Sequence, residues 1–180
     1  MSEKIKKAPS IANLTIMLFV ITAITSLLLG LVNGITIDEI TRRNKEKTEL
    51  AMIEVMPGTD DFVKVEKTFL NSLVTAAYES SKGYVFQVSP SGFGGAIDMV
   101  VGVSLDGAIT GVSIVKMVET SGLGANAAAE DFRAQYQGAT SQVQVTKDGG
   151  TIDALTGATV TSRAVTDGVN AAIDAFAELR

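Results

Sequence analysis

The part of the sequence best suited to chemistry is a hydroxyl-rich stretch near the C-terminus, residues 153–162. Its last seven residues carry four hydroxyl side chains: Thr156, Thr159, Thr161 and Ser162. The intervening Gly157 and Ala158 are small, so the backbone there stays accessible. A helix is predicted from about Arg163 to Leu179, and its N-terminus would present unpaired N–H groups. This combination suits a phosphate group, although the same hydroxyls could serve only as an ordinary helix cap.

The composition excludes several other kinds of chemistry. The 180 residues include no Cys and no His, which excludes disulfides, thiolate nucleophiles, Fe–S ligation and imidazole-based metal or acid–base sites. We predict no metal site and no catalytic residue. The net charge of −5 and the lack of a basic stripe argue against nucleic-acid binding. Redox chemistry by this chain would therefore need an organic cofactor.

Two further loops contain glycines that could approach a ligand closely: Ser91–Gly95 and Glu119–Gly124. Neither matches the dinucleotide-binding or P-loop pattern, so those routes to nucleotide binding are unsupported. The first loop, taken alone, is also typical of a turn with positive φ. Likewise, Glu119 taken alone could be a solvated loop carboxylate. The residues themselves leave these alternatives open.

An apolar segment near the N-terminus predicts a membrane span. Residues 11–31 are uncharged and strongly apolar, and as a helix they would extend about 31 Å, enough to cross the hydrocarbon core. We predict a tail over 1–10 and a transmembrane helix over 11–35. The alternative is a cleaved signal sequence, but no clear small-x-small cleavage site precedes Ile35. Lys and Arg flank both ends, so charge alone leaves the orientation open, although a short basic tail favours a cytoplasmic N-terminus.

The elements that must position the hydroxyl-rich stretch form an α+β domain. The S/T-x-x-E pattern at Thr36 predicts the start of a connecting helix over 36–57, and a domain over 58–180 follows. Asp106-Gly107 between two alternating apolar runs predicts a type I′ hairpin. The sheet should be mainly antiparallel and should pack on the C-terminal helix. The other predicted elements are strands at 62–66, 74–78, 83–88 and 143–145 and a helix at 126–137.

The stretch Asp153-Ala-Leu-Thr-Gly-Ala-Thr-Val-Thr-Ser162 resembles the flavinylation motif D-x-x-[ST]-G-A-T-x-T-S of the FMN-binding domain family. The resemblance implies FMN bound covalently, through a phosphoester to the Thr that closes [ST]-G-A-T, which is Thr159 here. A dedicated flavin transferase would make the attachment. The resemblance also implies that residues 156–158 shape the turn and that Thr161 and Ser162 bond the phosphate. The cofactor-binding residues implied in this stretch are Thr156, Gly157, Ala158, Thr159, Val160, Thr161 and Ser162.

A second resemblance concerns the loop after the hairpin. Glu119-Thr-Ser-Gly-Leu-Gly124 is similar to the family's E-T-P-G-L-G loop, which lies against the isoalloxazine ring, with Ser121 where the family usually has Pro. The Gly-Phe-Gly-Gly segment before the hairpin resembles the family's glycine-rich segment. These resemblances imply further cofactor contacts from Glu119, Thr120, Ser121, Gly122, Leu123, Gly124, Phe93 and Gly94.

Two groups of family members share a single N-terminal span followed by such a domain: the G subunit of the Rnf electron-transport complex and the C subunit of the Na⁺-translocating NADH:quinone reductase. The compact length favours a resemblance to the first. That resemblance implies electron flow between ferredoxin and NAD coupled to Na⁺ or H⁺ transport, with the FMN domain outside the cytoplasmic membrane. Implied partners are the A-, B-, C-, D- and E-type proteins of the Rnf complex, the flavin transferase and membrane lipid. The remaining alternatives are another anchored flavin relay and a non-redox anchored binding domain.

Overall fold

The computed structural model describes residues 10–180. The chain divides into two compact units, one ending at Arg43 and the other spanning Asn44–Arg180. The predicted tail over 1–10 lies outside the described residues except for Ser10. The first unit is helical, and the second contains the sheet and the remaining helices.

Helix α1 spans Ile11–Val55. In the first unit its apolar side chains are exposed in every direction; Phe19, for example, is 70% exposed and Leu29 is 71% exposed. Such a surface is costly in water and is favourable in hydrocarbon. The helix is long and apolar enough to cross a membrane, as the sequence predicts.

The predicted separate connecting helix over 36–57 is wrong, because α1 passes through Thr36 without a break. A capping pattern starts a helix only where its first residue leaves helical geometry. No proline lies between Ile11 and Thr36 to interrupt the helix and force Thr36 out of that geometry. The helix ends at Val55, two residues before the predicted end at residue 57 and just before Pro57 and Gly58. Gly58 has φ of 79°.

The second unit is built on a sheet of five strands, which span Val63–Lys64 (β1), Val74–Ser80 (β2), Gly83–Val88 (β3), Asp98–Ser104 (β4) and Ile109–Lys116 (β5). They lie in the order β1-β2-β3-β4-β5, and every neighbouring pair is antiparallel. This confirms the predicted α+β fold with an antiparallel sheet. In β4 five successive residues are buried, and because successive side chains point to opposite faces, both faces of this strand are covered.

Helices cover both faces of this sheet. The C-terminal helix α3, Thr159–Ala177, packs on one face and buries Phe86, Val101 and other side chains in the main core. The last turns of α1 cover the other face, in a smaller core. Its members are Ala51, Met52, Val55, Met56, Val85 and Val100. The compact domain therefore begins at Asn44 and includes the end of α1, whereas the predicted domain began at residue 58.

Polar contacts also hold the end of α1 to the domain. Glu54 accepts hydrogen bonds from Ser113 Oγ at 2.6 Å and from Arg133 at 2.8 Å. Burial opposes ionisation of Glu54, but these two donors lower its pKa below the ordinary value. The Arg133 guanidinium also donates to the Val112 carbonyl at 2.7 Å. The end of α1 is thereby tied to β5 and to the segment that follows it.

The hairpin between β4 and β5 is confirmed, but its predicted type I′ turn is wrong. A type I′ turn needs positive φ at both central residues, and here Gly107 has φ of 93° while Asp106 does not have positive φ. The Ser104 N–H donates to the Ala108 carbonyl, and the Gly107 N–H donates to the Ser104 carbonyl. This is a three-residue loop with glycine in the left-handed position. The Ser104 hydroxyl stabilises it by bonding Asp106 and Ala108.

Two other predictions need correction. The helix predicted over 126–137 is broken into short pieces: a 3₁₀ turn at Gly124–Ala128, helix α2 at Glu130–Arg133 and a 3₁₀ turn at Ala134–Tyr136. The strand predicted over 143–145 is reduced to one parallel bridge between Val145 and Ile152. In both segments tertiary packing overrides local propensity. Phe132 and Tyr136 are buried against each other, with ring centroids 5.8 Å apart.

Candidate functional site

Residues from the three loops singled out in the sequence lie around one cavity of about 380 Å³. Ligand pockets start at roughly 300 Å³, so this volume suits a small organic molecule. Both apolar and polar side chains reach the cavity wall. The lining residues are Phe93, Glu119, Thr120, Leu123, Gly124, Gly157, Ala158, Thr159, Val160 and Thr161.

The remaining predicted site residues lie near this cavity but do not line it. Gly94 belongs to the same loop as Phe93, and its N–H donates to Glu119. Ser121, Gly122 and Thr156 are exposed. Ser162 is fully buried. The structure thus brings the two motifs together, and the cofactor role of each residue stays a prediction.

Glu119 joins the three loops. Its Oε1 accepts a hydrogen bond from the Gly94 N–H at 3.0 Å, and its Oε2 accepts one from the Thr161 hydroxyl at 2.9 Å. Gly124 lies so close that a Cβ there would be 2.6 Å from Glu119 Oε2 and 2.7 Å from Thr161 Oγ1. Glu119 is therefore a paired carboxylate that holds the cavity wall, in contrast to the solvated loop carboxylate that its position alone would allow.

Helix α3 begins at Thr159, four residues before the predicted start at Arg163. The difference arises because the first turn is held by tertiary bonds: Thr161 donates to Glu119, and the Leu155 N–H donates to Ser162 Oγ at 2.9 Å. The N-cap residue is Ala158, and it makes no side-chain capping bond. The hypothesis that the threonines are only an ordinary helix cap is therefore wrong.

The side chains of Thr161 and Ser162 are directed into the protein. They are 1% and 0% exposed, and the Ser162 hydroxyl donates to the Ala158 carbonyl at 3.0 Å. Both hydroxyls bond protein groups and fix the first turn of α3. Their predicted contacts to a phosphate stay a prediction.

Thr159 is the hydroxyl of the motif that combines partial exposure, a place on the cavity wall and the N-terminal position of a 19-residue helix. The first intrahelical bond runs from the Ser162 N–H to the Ala158 carbonyl. The N–H groups of Thr159, Val160 and Thr161 precede it and have no intrahelical acceptor. Those groups and the helix dipole favour an anion beside Thr159.

Lys147 also reaches this position, although no motif in the sequence singled it out. Its Nζ donates to Thr159 Oγ1 at 2.8 Å from the 3₁₀ turn Thr146–Asp148. The next residue, Asp148, accepts two hydrogen bonds from Arg163 at 2.6 and 2.7 Å. Hydrogen bonding by the Arg163 guanidinium lowers the pKa of Asp148. No local sequence signal could have indicated these contacts, because they join two loops that meet only in the fold.

The cavity region also exposes apolar side chains. Phe93 is 75% exposed, Leu123 43% and Val160 49%, and all three line the cavity. The neighbouring Val118 is 65% exposed. A planar apolar ring system with a phosphate tail fits this arrangement, because the apolar side chains offer contact area and Thr159 offers a hydroxyl beside cationic and N–H groups.

A larger cavity, of about 550 Å³, lies on the opposite face of the sheet. It is lined by residues of α1 together with Phe62, Tyr78 and Gln87, and charged side chains of both signs surround it. It contains none of the motif residues. The smaller cavity at Thr159 is therefore the better candidate for a functional site.

Comparison with known proteins identifies the same region. Residues 92–174 match the family model of the FMN-binding domain. The G subunit of the Na⁺-translocating ferredoxin:NAD⁺ oxidoreductase complex of Acetobacterium woodii is 33% identical over 92% of this chain and 91% of its own length. The G subunit of the proton-translocating ferredoxin:NAD⁺ oxidoreductase complex of Clostridium ljungdahlii is 42% identical over 54% of this chain and 57% of its own length.

Among solved structures, the C subunit of the Na⁺-translocating NADH-quinone reductase of Parabacteroides distasonis has a similar fold. The TM-score is 0.56 with 17% identity, and the match covers 77% of this chain and 94% of that one. At this identity the likeness concerns the fold alone. The sequence match to the Acetobacterium protein extends over almost the whole length of both chains, so this chain belongs to the FMN-binding G-subunit family of ion-translocating oxidoreductase complexes.

Proposed function

We propose that this chain is an electron-transfer subunit of a membrane-bound, Rnf-type ion-translocating oxidoreductase and that it carries FMN covalently on Thr159. The complex would couple electron flow between ferredoxin and NAD to Na⁺ or H⁺ translocation. The observation that carries the proposal is the position of Thr159. Thr159 lies on the wall of the cavity that both family motifs line. It is also the first residue of helix α3.

The residues present fit FMN. Phe93, Leu123 and Val160 supply apolar surface for a ring system, and the free N–H groups at the start of α3 suit a phosphate. When bound, FMN supplies the electron transfer, and the chain supplies orientation and electrostatics. Partial exposure of the site suits a relay, because electrons must pass to and from groups on partner subunits.

The attachment is a phosphoryl transfer from a flavin dinucleotide to the threonine hydroxyl, made by a flavin transferase. The bond between Thr159 Oγ1 and the flavin phosphorus would form as the phosphoanhydride bond of the dinucleotide breaks. Adenosine monophosphate would leave, and the hydroxyl proton would pass to solvent. The product is a phosphodiester with one negative charge, which the N-terminus of α3 stabilises by roughly 0.3–1 kcal/mol.

The direct test is an intact-mass measurement of the full chain after co-expression with a flavin transferase, followed by peptide mapping. We expect a mass increase equal to FMN minus one water, located on the peptide that contains Thr159. A chain of unmodified mass under conditions that flavinylate a known family member would overturn the covalent assignment. An adduct on another residue would move the attachment site.

The proposed location is the cytoplasmic membrane, with the N-terminus in the cytoplasm and the FMN domain on the extracytoplasmic side. The long apolar part of α1 supports the anchoring. The orientation is proposed because the family resemblance implies an FMN domain outside the cytoplasmic membrane.

The chain has no cysteine, so a single cysteine placed at Leu70, which is 92% exposed, would be the only thiol. We expect a membrane-impermeant maleimide to label it in cells whose cytoplasmic membrane is intact. Labelling only after that membrane is lysed would reverse the orientation.

The proposed partners are the A-, B-, C-, D- and E-type proteins of the complex, together with the transferase during maturation and the surrounding lipid. The names of the two relatives specify Na⁺ in one complex and protons in the other, so both ions occur among the relatives of this chain. The alternative assignment is the C subunit of a quinone reductase, whose fold is shared. The near full-length match to a G subunit favours the first assignment.

A further inference from the structure

We infer that Lys147 is the side chain that binds the flavin phosphate at Thr159; this inference rests on the proposed covalent attachment. Lys147 Nζ lies 2.8 Å from Thr159 Oγ1, the atom that would become the ester oxygen. A phosphorus atom bonded to Oγ1 brings its two remaining oxygens close to the same ammonium group. The lysine would therefore change from a partner of the hydroxyl to a counter-ion of the phosphodiester.

The fold holds Lys147 in this position. The 3₁₀ turn that carries it ends at Gly149, which has φ of 89°. The adjacent Asp148 makes two hydrogen bonds to Arg163, which lies one helical turn after Thr159. Lys147 and Asp148 thus contact successive turns of α3. The Asp148 contact holds the backbone beside Lys147, and this helps to place the lysine side chain at Thr159.

The surrounding charges leave Lys147 available for an anion. Arg163 is the nearest basic residue on α3, and Asp148 already pairs with it. Within residues 10–180, no carboxylate forms an ion pair with Lys147, and its hydrogen-bond acceptor is the neutral hydroxyl of Thr159. A phosphodiester at Thr159 would supply the negative charge that this ammonium group lacks, and the N–H groups at the start of α3 would bond the same anion.

The test compares Lys147→Met and Lys147→Arg in the full-length chain, with flavin transferase and flavin dinucleotide supplied. The rate of flavin incorporation is followed by intact mass and by in-gel flavin fluorescence. We expect Lys147→Met to slow incorporation at least tenfold and Lys147→Arg to remain within about threefold of the wild type. Lys64→Met is the matched control. Lys64 is an exposed lysine on the edge strand β1, and it pairs with Glu66. This variant should have no effect.

A second measurement separates phosphate binding from docking of the transferase. The ³¹P resonance of the attached phosphodiester is compared between the wild type and whatever fraction of Lys147→Met becomes flavinylated. We expect a shifted resonance in Lys147→Met and a nearly unchanged one in Lys64→Met. Equal incorporation rates, or equal ³¹P resonances in all three chains, would overturn the inference. Absence of flavin from the wild-type chain would instead refute the proposed function itself.

Discussion

Replacing Thr159 with alanine is expected to abolish covalent flavin completely. The substitution removes the oxygen that would form the ester, and no other hydroxyl of the motif is a ready substitute. Thr161 and Ser162 are buried and bond Glu119 and Ala158, respectively, while Thr156 is exposed but does not line the cavity. The measurement is flavin fluorescence of the denatured chain on a gel, with intact mass as confirmation.

Two matched variants make this result interpretable. Thr159→Ser keeps the oxygen and should retain flavin, whereas Thr156→Ser changes a neighbouring threonine of the same motif and should leave the adduct largely intact. Because Thr159 Oγ1 bonds only the exposed Lys147 among the side chains described, Thr159→Ala should also unfold in urea close to the wild-type midpoint. Persistent fluorescence in a folded Thr159→Ala chain would show that the attachment lies elsewhere.

Truncation should show where the domain begins. A chain that starts at Asn44 is expected to be soluble without detergent and to unfold cooperatively, because it lacks the exposed apolar part of α1 but keeps the smaller core. A chain that starts at Gly58 loses Met52, Val55 and Met56, which are 1–4% exposed, and uncovers Val85 and Val100. Burying one such side chain contributes about 1.5–3 kcal/mol. The combined loss is comparable with a typical total stability of roughly 5–15 kcal/mol.

The measurements are the soluble fraction after ultracentrifugation and the urea midpoint of each soluble chain. Leu50→Ala in the chain starting at Asn44 is the matched control, since it removes an apolar side chain that is 68% exposed on the same helix. We expect little change from it. If the chain starting at Gly58 were as stable and soluble as the longer one, the end of α1 would not be part of the folded domain.

The strands were predictable where local pattern and tertiary context agree. Strand β3 has the predicted bounds, Gly83–Val88, because alternating aromatic and β-branched residues stand between a glycine turn and Pro90. The hairpin was predictable, but its turn was not, since the Ser104 hydroxyl stabilises a three-residue loop that the Asp-Gly pair does not specify. In the same way, the pattern at Thr36 permitted a helix start that the uninterrupted α1 does not use.

The site was predictable as a set of motifs but not as a geometry. The first turn of α3 has the sequence Thr-Val-Thr-Ser, whose residues have weak intrinsic helix propensity, so the local pattern does not indicate a start at Thr159. Its real start depends on bonds to Glu119 and Leu155 that appear only in the fold. Lys147 was missed for the same reason: it lies 12 residues from Thr159, and only the packing of two loops brings the side chains together.

The contacts of Glu119 have a consequence for how the family can evolve. Its carboxylate accepts hydrogen bonds from the Gly94 N–H and the Thr161 hydroxyl. Gly124 has no room for a side chain, because a Cβ there would lie too close to Glu119 Oε2 and Thr161 Oγ1. Replacing Glu119 would leave the buried Thr161 hydroxyl without its acceptor, and replacing Thr161 would leave the carboxylate without that donor. A side chain at Gly124 would overlap both groups. We therefore expect these three positions to covary among homologues, so that lineages which lose the carboxylate also replace the glycine or the threonine.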